Sequence, residues 1–163
     1  MDARDKRLAR HSEIDLLVDM LRFASLISRP MRDGVADAAG FSSNELRILI
    51  ALSGEGESAG HDLAELMGMH AMNVSRALSS LHAMGYVQPA ENSGNRRRKP
   101  YRISPRGAAA YVAMKPHLAQ VAHFLFGVLS AEDRAHLERI LAKLDQRVME
   151  WQPDERRPHV PRA

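Results

Sequence analysis

Residues 63–87, LAELMGMHAMNVSRALSSLHAMGYV, constrain the fold of this chain more than any other stretch. Leu63, Leu66 and Met67 recur at helical spacing, and Gly68 follows where a helix that must stop places a residue tolerant of positive φ. A turn is expected at residues 68–70. Beyond it Val74, Ala77, Leu78 and Leu81 share one helical face and leave Met72, Asn73, Ser75, Arg76, Ser79 and Ser80 on or near the other. Gly85 ends this second helix. Tyr86 to Gln88 then read as a short strand, Tyr101 to Ile103 as its antiparallel partner, and residues 89–100 as the connecting loop.

Two helices at a glycine turn, closed by a hairpin, predict a mainly α fold with a small β-hairpin wing, a winged helix-turn-helix. The outward face of the second helix is small, polar and partly cationic, which suits entry into a major groove. Asn pairs bidentately with adenine, Arg with guanine, and Ser serves a base or a phosphate. The hairpin carries Arg96, Arg97, Arg98 and Lys99 in succession. With 23 Lys and Arg against 20 Asp and Glu, the formal charge of +3 says little by itself. Four cations on one hairpin concentrate positive potential where phosphates can meet it and release counterions. The expected contacts with double-stranded DNA are therefore Met72, Asn73, Ser75, Arg76 and Ser79 from the helix, and Arg96, Arg97, Arg98 and Lys99 from the wing. The helix supplies sequence preference and the wing supplies position and affinity.

The stretch LAELMGMHAMNVSRALSSLHAMGYV, with its glycine turn, Val-Ser-Arg helix and Gly-aromatic exit, resembles the core of the MarR family of transcription regulators. The likeness continues through NRRRKPYRISPRG, which is similar to that family's wing and the entry to its next helix, and covers roughly residues 10–150. It implies a cytoplasmic homodimeric regulator, a repressor released from a pseudo-palindromic operator by a small aromatic or anionic effector bound between dimerisation helices and DNA-binding lobe. It also implies one domain over residues 1–151, with the winged helix-turn-helix at about 42–104 and dimerisation helices at about 10–37 and 105–151. The family's wing usually begins Asp-x-Arg, where this chain has Asn95 and Arg97. Asn offers the guanidinium a hydrogen bond but no charge.

Composition narrows the remaining classes. At 163 residues and 45% apolar content, the chain suits one domain with a core. It has no cysteine, so neither a disulfide framework nor a thiol switch is open to it. There is no run of ~18 apolar residues for a membrane span, and the charged opening MDARDKRLARHS lacks the apolar centre of a secretion signal. Eight histidines show no i, i+4 pair for a helical metal site, so neither metal nor cofactor is expected. No phosphate loop, activated nucleophile or acidic loop cluster points to an enzyme. The rival readings are a protein–protein adaptor, which has no need of four adjacent cations, and a nonspecific DNA binder.

The flanking segments read as helices. Ser42 with Glu45 forms a capping-box pattern, so a helix starts near residue 43. Ser104 before Pro105 starts another, and Ser130 with Asp133 opens the last. There Leu137, Ile140, Leu141, Leu144, Val148 and Trp151 form an apolar stripe. In the first helix Ile14, Leu17, Val18 and Leu21 lie opposite Leu16, Met20, Phe23 and Ile27. Such a helix needs two partners, one face packing on its own subunit and the other on a second. For an effector, Ser25 and Ser28 are polar positions on the Ile14 face, with Arg22 and Arg29 beside them to pair a carboxylate. The same serines can instead bond back to their own helix, and Arg22 can pair with Asp19. His117 and His123 follow Pro116, which is expected to kink its helix around 112–116 and open space beside the core. Ser53 to Gly60 reads as a flexible connection, and Gln152 to Ala163 as a disordered tail.

Overall fold

The computed structural model of the protein describes residues 12–90 and 100–151. The predicted wing tip and the tail from Gln152 lie outside them. The chain divides at Ala122/His123 into two compact units.

In the first unit, helix α1 (Glu13–Met31) is capped by Ser12, whose hydroxyl accepts the Asp15 N–H at 3.1 Å. A widened π-helical turn (Arg32–Ala36) begins two residues after Pro30, which has no N–H to give the helix ladder, and here Asp37 N–H donates to Arg32 C=O. The short α2 (Asp37–Ala39) completes the segment. Val35 and Ala36 are fully buried and begin the core. Helix α3 (Ser43–Glu55) starts at the predicted capping box, Ser42 and Glu45 exchanging both bonds. It buries Leu46, Ile48, Leu49, Ala51 and Leu52.

The expectation of a flexible connection over Ser53–Gly60 is corrected. Helix α3 runs through Glu55, and β1 (Ser58–Ala59) forms the outer strand of a three-stranded antiparallel sheet. Its partner is β3 (Pro100–Ile103), with Ser58 opposite Tyr101 and Ala59 opposite Pro100. On the other side of β3 lies β2 (Val87–Pro89), in register Val87 to Ile103. A two-residue strand has no internal period, and its pairing spans over forty residues of chain. The strands also begin one residue away from the sequence reading, Tyr86 preceding β2 and Pro100 belonging to β3.

Between β1 and β2 lie α4 (Gly60–Leu66) and α5 (Ala71–Ala83). Gly68 sits at φ 56 in the turn that joins them, as its place in the sequence predicts, and Met69 N–H closes the turn on Ala64 C=O at 2.9 Å. Val74, Ala77, Leu78 and Leu81 are the buried residues of α5, and α5 packs on both α3 and α4.

Helix α6 (Pro105–Phe126) follows β3 and continues through Pro116. Its entry is fixed by Ser104, which is buried. The Ser104 hydroxyl donates to Gly85 C=O at 2.7 Å and accepts the Gly107 N–H at 3.0 Å. The helix passes so close to the chain leaving α5 that a Cβ on Gly107 would lie 2.0 Å from the Tyr86 carbonyl oxygen.

The second unit holds the end of α6 and helix α7 (Ala131–Met149), which begins at the predicted Ser130/Asp133 capping box. No residue of α7 is buried, and Ile140, Val148 and Trp151 of its apolar stripe are more than half exposed.

Both apolar faces of helix α1 are largely exposed among the described residues: Ile14 is 73% exposed and Leu21 61% on one side, Leu16 62% and Phe23 53% on the other. The core of this unit begins at Val35, and the first turns of α1 have nothing of it to cover them.

Gly107→Ala is expected to lower stability by ~1–3 kcal/mol or more, because backbone rather than a flexible side chain must move. Urea denaturation measures this, and an unchanged midpoint would mean that the α5–β2 turn yields freely.

Candidate nucleic-acid interface

The five helical residues predicted to meet DNA share one exposed surface. Met72, Asn73, Ser75, Arg76 and Ser79 are all exposed along α5, while Val74, Ala77, Leu78 and Leu81 are buried beneath them. The first turn of α5 contains no acidic residue, so nothing within it offsets the positive end of the helix dipole. Met72 is 65% exposed, an apolar group at the start of a helix otherwise faced by polar side chains.

Ser80 behaves differently from its neighbours. It is half-buried and gives its hydroxyl to the Glu45 carboxylate of α3. Glu45 also receives the Ser42 N–H at 2.7 Å. Burial pushes the Glu45 carboxyl up, but the hydrogen bonds from Ser80 and Ser42 outweigh it and hold the group below the usual carboxylate range. The sequence identified Glu45 as a helix cap alone. Its second bond joins two helices and has no local signal.

The far end of α5 is tied to the wing. His82 Nδ1 lies 3.1 Å from the Val87 carbonyl oxygen and must be the donor, since a carbonyl only accepts. The His82 ring meets Tyr101 of β3 edge-on at 6.1 Å. Asn95, Arg96, Arg97, Arg98 and Lys99 lie outside the described residues. The strands that carry them are described, and β3 adds a cation that the sequence reading missed. Arg102 stands opposite Gln88 of β2 and 3.9 Å from Glu57.

The residues predicted to meet an effector lie on α1 and α6. Ser25 and Ser28 bond back to Leu21 C=O and Ala24 C=O at 2.9 and 3.1 Å, the self-satisfying alternative. Arg29 pairs with Asp33 at 3.4 Å, and Arg22 is exposed. Ser28 also lines a cleft of about 410 Å³. Ala24, Ile27 and Met31 of α1 form the same wall, and Ser43, Leu46 and Arg47 of α3 form the opposite one. His117 lines a separate cleft of about 200 Å³, between Phe41 and Tyr86 on one side and Ala110, Ala113 and Met114 of α6 on the other. His123 is exposed near the end of α6. Arg47, which no motif singled out, is the one cationic side chain among the described residues that line the larger cleft.

Among the described residues no group of three or more His, Asp or Glu is placed to hold a metal ion, and no helix is long and apolar enough to cross a membrane.

A helix, a positive-φ glycine turn, a second helix with an outward polar face and a strand pair closing behind it make this a winged helix-turn-helix protein. The sequence model of the MarR family matches residues 39–98, the stretch that holds the helix-turn-helix. Solved structures share the fold over most of their length. A MarR-family transcriptional regulator from Silicibacter pomeroyi is 23% identical with a TM-score of 0.66, covering 83% of this chain and 89% of that one. BpsR of Bordetella bronchiseptica, described for the regulation of its DNA binding by 6-hydroxynicotinic acid, is 20% identical with a TM-score of 0.68, covering 80% and 98%. NadR in complex with 4-hydroxyphenylacetate is 21% identical with a TM-score of 0.69, covering 83% and 94%. Among curated proteins no sequence match is found.

A carboxyl held below its usual range contributes stability above the unfolded-state value and loses it as pH falls through the lower folded-state value. Glu45→Gln should therefore cost up to ~1 kcal/mol at neutral pH, with the gap from wild type closing as pH falls below about 4. Thermal unfolding across pH reads it, and a gap constant down to acid would show that the Ser80 and Ser42 bonds need no charge.

Proposed function

We propose that the protein is a sequence-specific DNA-binding transcription regulator, a homodimeric repressor released from a pseudo-palindromic operator by a small organic effector. The observation that carries this reading is the exposed row Met72, Asn73, Ser75, Arg76 and Ser79 on a helix whose opposite face is locked into the core. Asn73 and Arg76 have the donors to read base edges, Met72 suits a thymine methyl, and the serines serve phosphates or bases. Arg96, Arg97, Arg98 and Lys99 are proposed to hold the flanking backbone.

The uncovered apolar faces of α1 and α7 supply the reason for a dimer. Residues such as Leu17, Leu21, Ile140 and Leu141 leave far more apolar surface exposed than a helix facing water carries. A twofold pair of α5 helices reads half-sites about one helical turn apart. In domain terms, residues 42–104 bind DNA, and 10–37 with 105–151 join the two copies.

The cleft and the ligands of two neighbouring structures support this effector class. Both 6-hydroxynicotinic acid and 4-hydroxyphenylacetate are aromatic acids. In this chain a mostly apolar cleft with Arg47 on one wall and Ser28 on the other fits the same chemistry. Such a ligand acts by favouring a state whose recognition helices no longer match the operator.

Selection from a randomised duplex library at ~0.15 M salt tests the central claim, because nonspecific electrostatics are partly screened there. The expected product is an enriched pseudo-palindrome. No enrichment would favour nonspecific binding, and binding of protein partners untouched by Ala at Arg96 to Lys99 would favour an adaptor. On the selected site, Arg76→Ala should weaken binding by ~1–3 kcal/mol, and a loss equal on all sequences would reduce Arg76 to a phosphate contact. Leu141→Asp should sediment as monomer, and an intact dimer would take the α7 stripe out of the interface.

A further inference from the structure

Arg47 is where the larger cleft and the helix-turn-helix meet. Its side chain lines the cleft, and across twenty residues of sequence its Nη2 donates to the Met67 carbonyl. Met67 caps α4 and immediately precedes the positive-φ Gly68. The carbonyl therefore belongs to the turn that sets how α5 leaves α4. Two residues before Arg47 on the same helix, Glu45 accepts the Ser80 hydroxyl. Helix α3 thus holds the recognition element at two polar points, at the turn through Arg47 and along α5 through Glu45.

These two points differ in what can reach them. Glu45 is half-buried, whereas Arg47 is exposed and borders the cleft. The Met67 carbonyl is a neutral acceptor. A carboxylate offers two charged acceptors matching the guanidinium fork, and such pairs are about twice as strong as bonds to a neutral partner. Ala24, Ile27, Met31 and Leu46 give the cleft an apolar body beside that cation.

We infer that Arg47 is a latch on the recognition-helix turn, and that an organic carboxylate in the cleft competes with the Met67 carbonyl for its guanidinium and so loosens the turn. The inference deepens the regulator reading above and rests on it for its biological meaning. A ligand shifts an equilibrium only by its differential affinity for the two states, and the latch supplies the difference. Arg47 turned toward the carboxylate exists in the open state and is spent on Met67 in the closed one. By reciprocity, any partner that requires the closed turn lowers affinity for the carboxylate by the same factor.

Hydrogen exchange of the full chain tests this without DNA, so a failure to find an operator and a failure of the latch are separate results. Arg47→Met should speed exchange of the backbone amides at 68–73 by about tenfold, as expected when a local opening loses a restraint. Arg47→Lys, which keeps a donor, should leave most of the protection. Benzoate at millimolar concentration should reproduce the acceleration in wild type and add nothing in Arg47→Met, while its neutral isostere benzamide should do neither. Unchanged exchange in a folded Arg47→Met protein overturns the latch. No response of wild type to benzoate, or equal acceleration by benzamide or in Arg47→Met, overturns the competition by a carboxylate. Far-UV circular dichroism confirms that each variant is folded, which is expected because Arg47 is a surface residue.

Discussion

The burial of one face of α5 is the constraint on which the rest of the molecule depends. Val74, Ala77, Leu78 and Leu81 leave water together, and α5 packs on α3, whose Leu46, Ile48, Leu49 and Leu52 are equally buried. At ~25 cal/mol per Å² of apolar surface, side chains of this size are worth roughly 1.5–3 kcal/mol each, enough to fix the rotation of the helix about its axis. With rotation fixed, Met72, Asn73, Ser75, Arg76 and Ser79 have no direction left but outward. The exposed row follows from the buried one.

Polar contacts then refine what burial leaves loose. Apolar packing is nondirectional and tolerates sliding along the helix axis, whereas a hydrogen bond does not. Glu45 on Ser80, Arg47 on Met67 C=O and His82 on Val87 C=O pin α5 at its body, at the turn before it and at its exit. Ser104 does the same for the hairpin, joining Gly85 to the first turn of α6, where the missing side chain of Gly107 lets the chains approach. The strands that carry the wing cations are therefore rooted in the same core as the recognition helix.

Apolar surface is distributed unevenly between these parts. The winged unit closes its core with side chains from Val35 to Val121, while α1 and α7 bury none of theirs. A helix with two exposed apolar faces carries a solvation cost that the described residues of its own unit do not relieve. The periodicity of α1 marks two apolar faces but does not say what stands opposite either of them. That depends on where the neighbouring core begins.

Helix-turn-helix, caps and core face were legible in the sequence because each is local. A positive-φ glycine after a helical stripe, a Ser-x-x-Glu or Ser-x-x-Asp start, and apolar residues at helical spacing all act within a few residues of themselves. Thus Gly68, Ser42 with Glu45, Ser130 with Asp133, and the Val74 to Leu81 face were readable one residue at a time. What tertiary structure decided is what joins distant segments. Ser58–Ala59 became a strand only because β3 lay beside it, so the sequence suggested a loop. Ser25 and Ser28 give their hydroxyls to Leu21 C=O and Ala24 C=O of their own helix. The cleft formed where α1 meets α3, and Arg47 gained its importance from a carbonyl twenty residues away. Sequence period fixes which side of an element is apolar, but only packing fixes what stands opposite it.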